Sequence, residues 1–302
     1  MKIKKIETID VPSDIVVTTW QSAIMMGPKW FEQFGAVFGD EAHLFKAQSL
    51  TKIMSWLSRA WLRIGTTGTI DNERVHKLIL EGCFGPVMQV TTTKALMDSD
   101  TLAQLKIHAL AMKYPVEVRS SLKKMEYAEE LDFIVGHEPR NRFIKNLALD
   151  LKGNTLVLYQ LVEKHGKPLH ALIKKCAGPG RNVYYVSGSI SAEDREFIRM
   201  TVEREKNAII VASVGTFSTG INIRNLHSII FASPTKSQIR VLQSIGRGLR
   251  KADDGRPTTI YDLMDDLTWK KRKNYTLGHG IDRVKIYQKE RFSFEVHEVP
   301  LG

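Results

Sequence analysis

Two clusters of residues have the types and spacing to do chemistry. Asp40-Glu41-Ala42-His43 follows the apolar stretch Phe34-Gly35-Ala36-Val37-Phe38, which sets two adjacent carboxylates at the end of an expected strand. Much later, Arg240, Gln243, Arg247 and Arg250 lie at intervals of three, four and three residues, with Ile239, Leu242, Ile245 and Leu249 between them. That spacing puts a basic stripe along one face of a helix and an apolar stripe on the other. A carboxylate can hold Mg²⁺ or polarise a water, and a guanidinium can meet a phosphoryl group, so together they spell nucleotide hydrolysis. Gly246 and Gly248 each cost a helix about 1 kcal/mol against alanine, which suggests that backbone must approach something closely. The bland alternatives are a solvated acidic turn and a solvated basic helix face.

Other stretches carry weaker signals. Gly65-Thr66-Thr67-Gly68-Thr69 follows an apolar run. Its hydroxyls could bond across to a neighbouring carboxylate or to His43, although Gly and Thr also make ordinary turns. His43 either senses a neighbouring domain or is a polar residue at a helix start. Ser213 opens a hydroxyl-rich loop that runs to Asn222 and contains Gly215 and Gly220. Such a loop can hold a phosphate or simply join strand to helix. Lys270-Lys271-Arg272-Lys273 follows Trp269, and Arg283, Lys285, Lys289 and Arg291 come later among Tyr275, Tyr287 and Phe292. Basic groups meet phosphates and aromatics stack on bases, unless these residues belong to a packed terminal helix.

Composition narrows the class. A net charge of +11 over 302 residues points to a polyanionic partner, nucleic acid above all. The two cysteines, Cys83 and Cys176, form no C-x-x-C and no paired Cys/His cluster. That argues against a zinc site or a disulfide framework and fits a reducing compartment, with cytoplasm the default. No run reaches the ~18 apolar residues of a membrane span, and no apolar core follows Met1-Lys2-Ile3-Lys4-Lys5 to make a signal peptide.

The elements that must position these groups alternate as short apolar runs and amphipathic stretches, the rhythm of βα units on a parallel sheet. Expected strands are 15–19, 36–39, 62–65, 155–159, 183–186, 208–212, 229–232 and 259–263. Expected helices are 49–59, 127–135, 141–152, 168–175, 192–205 and 236–250. The fold class is α/β, with a partial first domain over 1–114, a second over 115–268 and a basic C-terminal extension over 269–302. The stretch 105–114 reads as the crossing between the halves. The 302 residues contain no G-x-x-x-x-G-K-[ST] phosphate loop. A nucleotide-binding domain normally opens with one, so the first domain is expected to lack its N-terminal portion.

In order and spacing these segments resemble the helicases of superfamily 2. Asp40-Glu41-Ala42-His43 resembles motif II and Thr67-Gly68-Thr69 motif III. Thr155–Tyr159 resembles motif IV, Ser213 with Thr219-Gly220-Ile221-Asn222 motif V, and Gln243–Arg250 motif VI. Segments such as Val183-Tyr184-Tyr185-Val186-Ser187-Gly188 and His279-Gly280-Ile281-Asp282-Arg283 are similar to the recombination and repair helicases of T4-like bacteriophages. The resemblance implies two RecA-like domains with ATP between them and Mg²⁺ as its metal. It implies a monomer acting on single-stranded and branched DNA, including fork regression and Holliday-junction migration, and on RNA–DNA hybrids. By position, Asp40 would hold Mg²⁺ and Glu41 would polarise the attacking water. His43, Thr67 and Thr69 would couple hydrolysis to movement. Gly220, Asn222 and Gln243 would sit near the nucleotide, Arg247 and Arg250 would be arginine fingers, and Ser213 would lie near the DNA backbone. Two other readings stand beside this one: a non-hydrolysing nucleic-acid-binding or strand-annealing module, and the motor of a restriction system.

Overall fold

The computed structural model describes residues 15–68, 74–99, 104–122, 125–218, 223, 225–234 and 255–302. The chain divides into two compact units, 1–88 and 89–302.

The first unit is small. Strands β1 (Ala36–Gly39) and β2 (Leu62–Gly65) pair in parallel, and the helix Gln48–Trp56 lies between them in sequence. The helix forms as its apolar spacing requires: Leu50, Ile53 and Met54, with Leu57 just beyond its end, are all buried. Around them gather Phe31, Phe45, Leu80 and Cys83, with Trp30, Phe34 and Trp56 partly buried alongside. The stretch 15–19, expected as a strand, is none: Ile15 and Val17 are 81% and 93% exposed. A run of β-branched residues makes a strand only beside a partner, and here the Thr19 hydroxyl instead accepts from the Ser22 N–H to start the helix Trp20–Ala23.

The second unit is built on seven parallel strands in the order β5-β6-β4-β7-β8-β3-β9. Their ranges are β3 Leu105–Lys113, β4 Asn154–Tyr159, β5 Val183–Val186, β6 Ile209–Ser213, β7 Leu226–Phe231, β8 Thr258–Asp266 and β9 Ser293–Pro300. Every residue of β4 is buried. Leu156 and Leu158 enter one core layer with Ile210, Ile229 and Ile260, while Val157 and Tyr159 enter the other with Ile144, Ile173 and Leu263. A strand covered on both faces reads as a continuous apolar run, and so it does in the sequence.

Two expected boundaries move. The stretch 105–114, read as a crossing, holds β3, which lies inside the sheet between β8 and β9. The division therefore falls near residue 88 rather than at 114. Residues 269–302 are likewise no appended extension. The helix Tyr275–Lys289 packs on the sheet, burying Thr276, Gly280, Arg283 and Tyr287, and β9 adds a strand beside β3. Arg283, Tyr287 and Phe292, counted above among groups facing nucleic acid, are buried. Arg283 Nε instead donates to Asp262 Oδ2 at 2.8 Å, and the Tyr287 hydroxyl donates to the same oxygen at 2.7 Å.

Candidate functional site

The acidic motif sits where β1 stops. Thr66 N–H donates to the Gly39 carbonyl at 2.9 Å and Ala42 N–H to the Thr66 carbonyl at 2.8 Å, so the chain past β1 is clamped to the chain past β2. Asp40 and Glu41 therefore lie beyond the strand, and strand alternation does not separate their side chains. Glu41 instead adopts left-handed backbone, with φ 50° and ψ 48°. A residue with a Cβ resists that conformation by about 1–2 kcal/mol, so the surrounding clamp must hold it there.

The polar groups then meet as their types allow. Asp40 Oδ1 accepts from Glu41 N–H at 2.9 Å and from the Thr66 hydroxyl at 3.3 Å, which orients the carboxylate. His43 Nδ1 lies 2.9 Å from Thr67 Oγ1 and 3.2 Å from Glu41 Oε2. When Nδ1 carries the proton, carboxylate and hydroxyl both present acceptors to one N–H. The hydroxyls after β2 thus reach both the carboxylate and His43, as their types suggest. Motif reading gives Thr66 no role of its own, although its place beside Thr67 at a strand end is the available signal.

Below the loop is an aromatic pad invisible to motif reading. The paired residues Gly39 and Gly65 both lie against the Phe84 ring, which meets Phe45 edge-on at 4.9 Å. A Cβ on Gly65 would come within 2.8 Å of Phe84 Cγ and 3.0 Å of Ala42 Cβ. Gly65→Ala is expected to destabilise this unit by ~1–3 kcal/mol, the usual cost of overpacking. The readout is the urea midpoint followed by tryptophan fluorescence, because Trp20, Trp30, Trp56 and Trp61 lie in this unit and only Trp269 in the other. Phe84→Leu should restore part of the loss in the double variant. Simple additivity would show that ring and glycine do not meet.

In the second unit, a parallel sheet sends the ends of its strands to one edge, where open α/β folds place ligands. Ser213 ends β6 at that edge, and Ser233 and the turn Trp269–Arg272 follow β7 and β8 there. Ser213 is buried, its hydroxyl 2.7 Å from Thr216 Oγ1 and accepting from Thr216 N–H at 3.3 Å. In this conformation it starts the short helix Val214–Ser218 rather than presenting a free hydroxyl. Ser233 Oγ, also buried, accepts from Gln160 N–H at 2.9 Å. Lys270, Lys271, Arg272 and Lys273 are all exposed on a turn closed by paired bonds between Trp269 and Arg272 at 3.1 and 3.0 Å. Thr69, Gly220, Asn222, Gln243, Arg247 and Arg250 lie outside the described residues.

The strand–helix alternation of β4 to β7 and the motifs along it fall in one stretch. Residues 139–252 match the helicase conserved C-terminal domain, and the chain is similar to helicases of superfamily 2. It is 37% identical over 300 residues to the ATP-dependent DNA helicase UvsW of Enterobacteria phage T4, covering 95% of this chain and 59% of that protein. The crystal structure of T4 UvsW superposes with a TM-score of 0.58 at 36% identity, over 94% of this chain and 57% of that one. A type ISP restriction-modification enzyme, LlaBIII, solved bound to DNA, superposes with a TM-score of 0.64 at 16% identity over 93% of this chain and 23% of its own, which shows a shared fold. The chain thus spans somewhat over half the length of the T4 relative. Among the described residues no helix is long and apolar enough to cross a membrane.

Proposed function

We propose that this chain provides motor parts of an ATP-dependent DNA helicase or translocase that acts on single-stranded and branched DNA and on RNA–DNA hybrids. Its likeness to the T4 helicase supports this reading, but one structural observation carries it. Asp40 is oriented by Thr66, and His43 lies within bonding distance of both Glu41 and Thr67, so carboxylates and hydroxyls form one connected unit.

The donor chemistry fits the groups implied. Asp40 offers hard carboxylate oxygens of the kind Mg²⁺ takes, and a bound Mg²⁺ would offset the charge of ATP phosphates. Glu41, more than half exposed, polarises the attacking water. His43 exchanges its partner between Glu41 and Thr67 and so couples the state of the carboxylate to β2, with Thr69 in the same segment. Arg247 and Arg250 neutralise phosphoryl charge. Gly220, Asn222 and Gln243 line the nucleotide, while Ser213 and the 270–273 turn meet the DNA backbone. The first unit would then carry motifs II and III, and the second motifs IV to VI.

A non-hydrolysing nucleic-acid-binding module is the second reading, favoured by the exposed basic turn and by the lack of a G-x-x-x-x-G-K-[ST] pattern in these 302 residues. A fluorescent ATP analogue titrated with Mg²⁺, beside a labelled single strand, separates the two. The motor reading expects both to bind, and nucleotide-free DNA binding would favour the module. In either case, replacing Lys270, Lys271, Arg272 and Lys273 by alanine should lower the log–log salt slope of single-strand binding by up to ~3, at ~0.7 for each phosphate no longer neutralised. An unchanged slope would remove the turn from the interface.

A further inference from the structure

On the second unit, three ligand-type side chains converge. His108 comes from β3, Glu295 and His297 from β9, and the parallel register pairs His108 with Glu295. His108 Nδ1 lies 2.9 Å from His297 Nε2 and 3.5 Å from one oxygen of Glu295, Oε2. His297 Nε2 is 3.4 Å from that same oxygen. The Tyr261 ring stacks on the His108 ring at 5.4 Å and 18°, which fixes the orientation of one imidazole.

We propose that His108, Glu295 and His297 form a binding site for a divalent transition metal, with Zn²⁺ the best fit. Bond lengths of about 2.0–2.2 Å to a tetrahedral ion place ligand atoms about 3.4 Å apart, close to the triangle found here. Imidazole suits zinc, copper, nickel and iron, while Mg²⁺ and Ca²⁺ prefer all-oxygen sets. Two histidines and a carboxylate leave a fourth position for water. Lys106 Nζ is 3.1 Å from the other carboxylate oxygen, Oε1, so the ammonium and the metal engage different atoms of Glu295.

The site is structural rather than catalytic. His108 lies five residues before the end of β3, about 16 Å at strand rise from the edge where the strands deliver their motifs. A metal there would pin the last strand of the chain to β3 across 189 residues of sequence. That separation is why no Cys/His spacing betrays it. The competing arrangement is a plain imidazole–imidazole hydrogen bond, which the same 2.9 Å approach accommodates.

Calorimetric titration of the metal-stripped 302-residue chain with ZnCl₂ tests the proposal, with Co²⁺ as a spectroscopic probe. One equivalent should bind, Co²⁺ should give the intense visible bands of four-coordination, and the melting temperature should rise with Zn²⁺ but not with Mg²⁺. His108→Ala and His297→Gln should each weaken binding at least about tenfold, as losing a ligand must when losing even a supporting partner costs that much. Circular dichroism verifies that both variants fold. Cys176→Ser, which removes the exposed thiol, should leave binding unchanged. Absence of zinc binding to the folded wild type, or equal binding in the histidine variants, would overturn the site and leave only the hydrogen bond.

Discussion

Glu41→Gln should lower the rate of ATP hydrolysis by ~10²–10⁴ while leaving nucleotide and DNA binding intact, the span expected when a positioned general base is removed. Glutamine keeps the length of the side chain and a carbonyl oxygen that can still accept from His43 Nδ1. The bonds of Asp40 to Glu41 N–H and the Thr66 hydroxyl do not involve the substituted atoms. The backbone requirement is unchanged, because glutamine has a Cβ and faces the same left-handed conformation. What disappears is the negative charge that draws a proton from water. Phosphate release under Mg²⁺, ATP and DNA gives the rate, and the urea midpoint serves as the control. Equal rates in wild type and variant, with hydrolysis present in both, would remove Glu41 from the chemistry. A fallen midpoint would mean that the loop itself had been disturbed.

The legible parts of this molecule are those written in local chemistry. The six buried residues of β4 read as a strand because a core layer covers each face of the sheet there, and Leu50, Ile53, Met54 and Leu57 read as a helix because one face is covered. Hydroxyls beside a carboxylate motif could be expected to bond to it, and Thr66 and Thr67 do. Misreadings arise where partners are distant. β3 looks like a linker because the strands on either side of it, β8 and β9, come about 150 and 190 residues later. Tyr287 and Arg283 look like surface groups because Asp262, which accepts from both, lies on another element. The left-handed Glu41 is imposed by the clamp between the ends of β1 and β2, which no dipeptide preference would announce.

The same distance hides a buried ion pair whose role can be tested by substitution. Arg140, at the start of the helix Glu138–Asp150, and Asp265 on β8 are both fully buried. Arg140 Nε donates to Asp265 Oδ1 at 2.6 Å and Arg140 Nη2 to Oδ2 at 2.9 Å. The Tyr114 hydroxyl adds a bond to Oδ1 at 2.8 Å. Burial first, then the charge of Asp265, holds the Tyr114 phenol well above its ordinary pKa, so it remains an O–H donor at neutral pH. Arg140→Leu strands a carboxylate in the interior and should cost ~3–5 kcal/mol, and Asp265→Leu, which strands the guanidinium, should cost as much. Removing both charges is a different experiment. Arg140 Nη1 is already buried without a hydrogen-bond partner among the described residues, so the pair is imperfectly satisfied. Arg140→Leu with Asp265→Leu should therefore recover most of the single-variant loss, because a well-packed apolar pair avoids the desolvation of two ions. Urea unfolding followed by circular dichroism supplies the three midpoints and slopes. A coupling energy above ~2 kcal/mol would locate the stability in the pairing of the charges. Strict additivity would mean that each side chain is held by its other neighbours, and that the helix Glu138–Asp150 stays on the sheet through Ile144 and Ala148 alone.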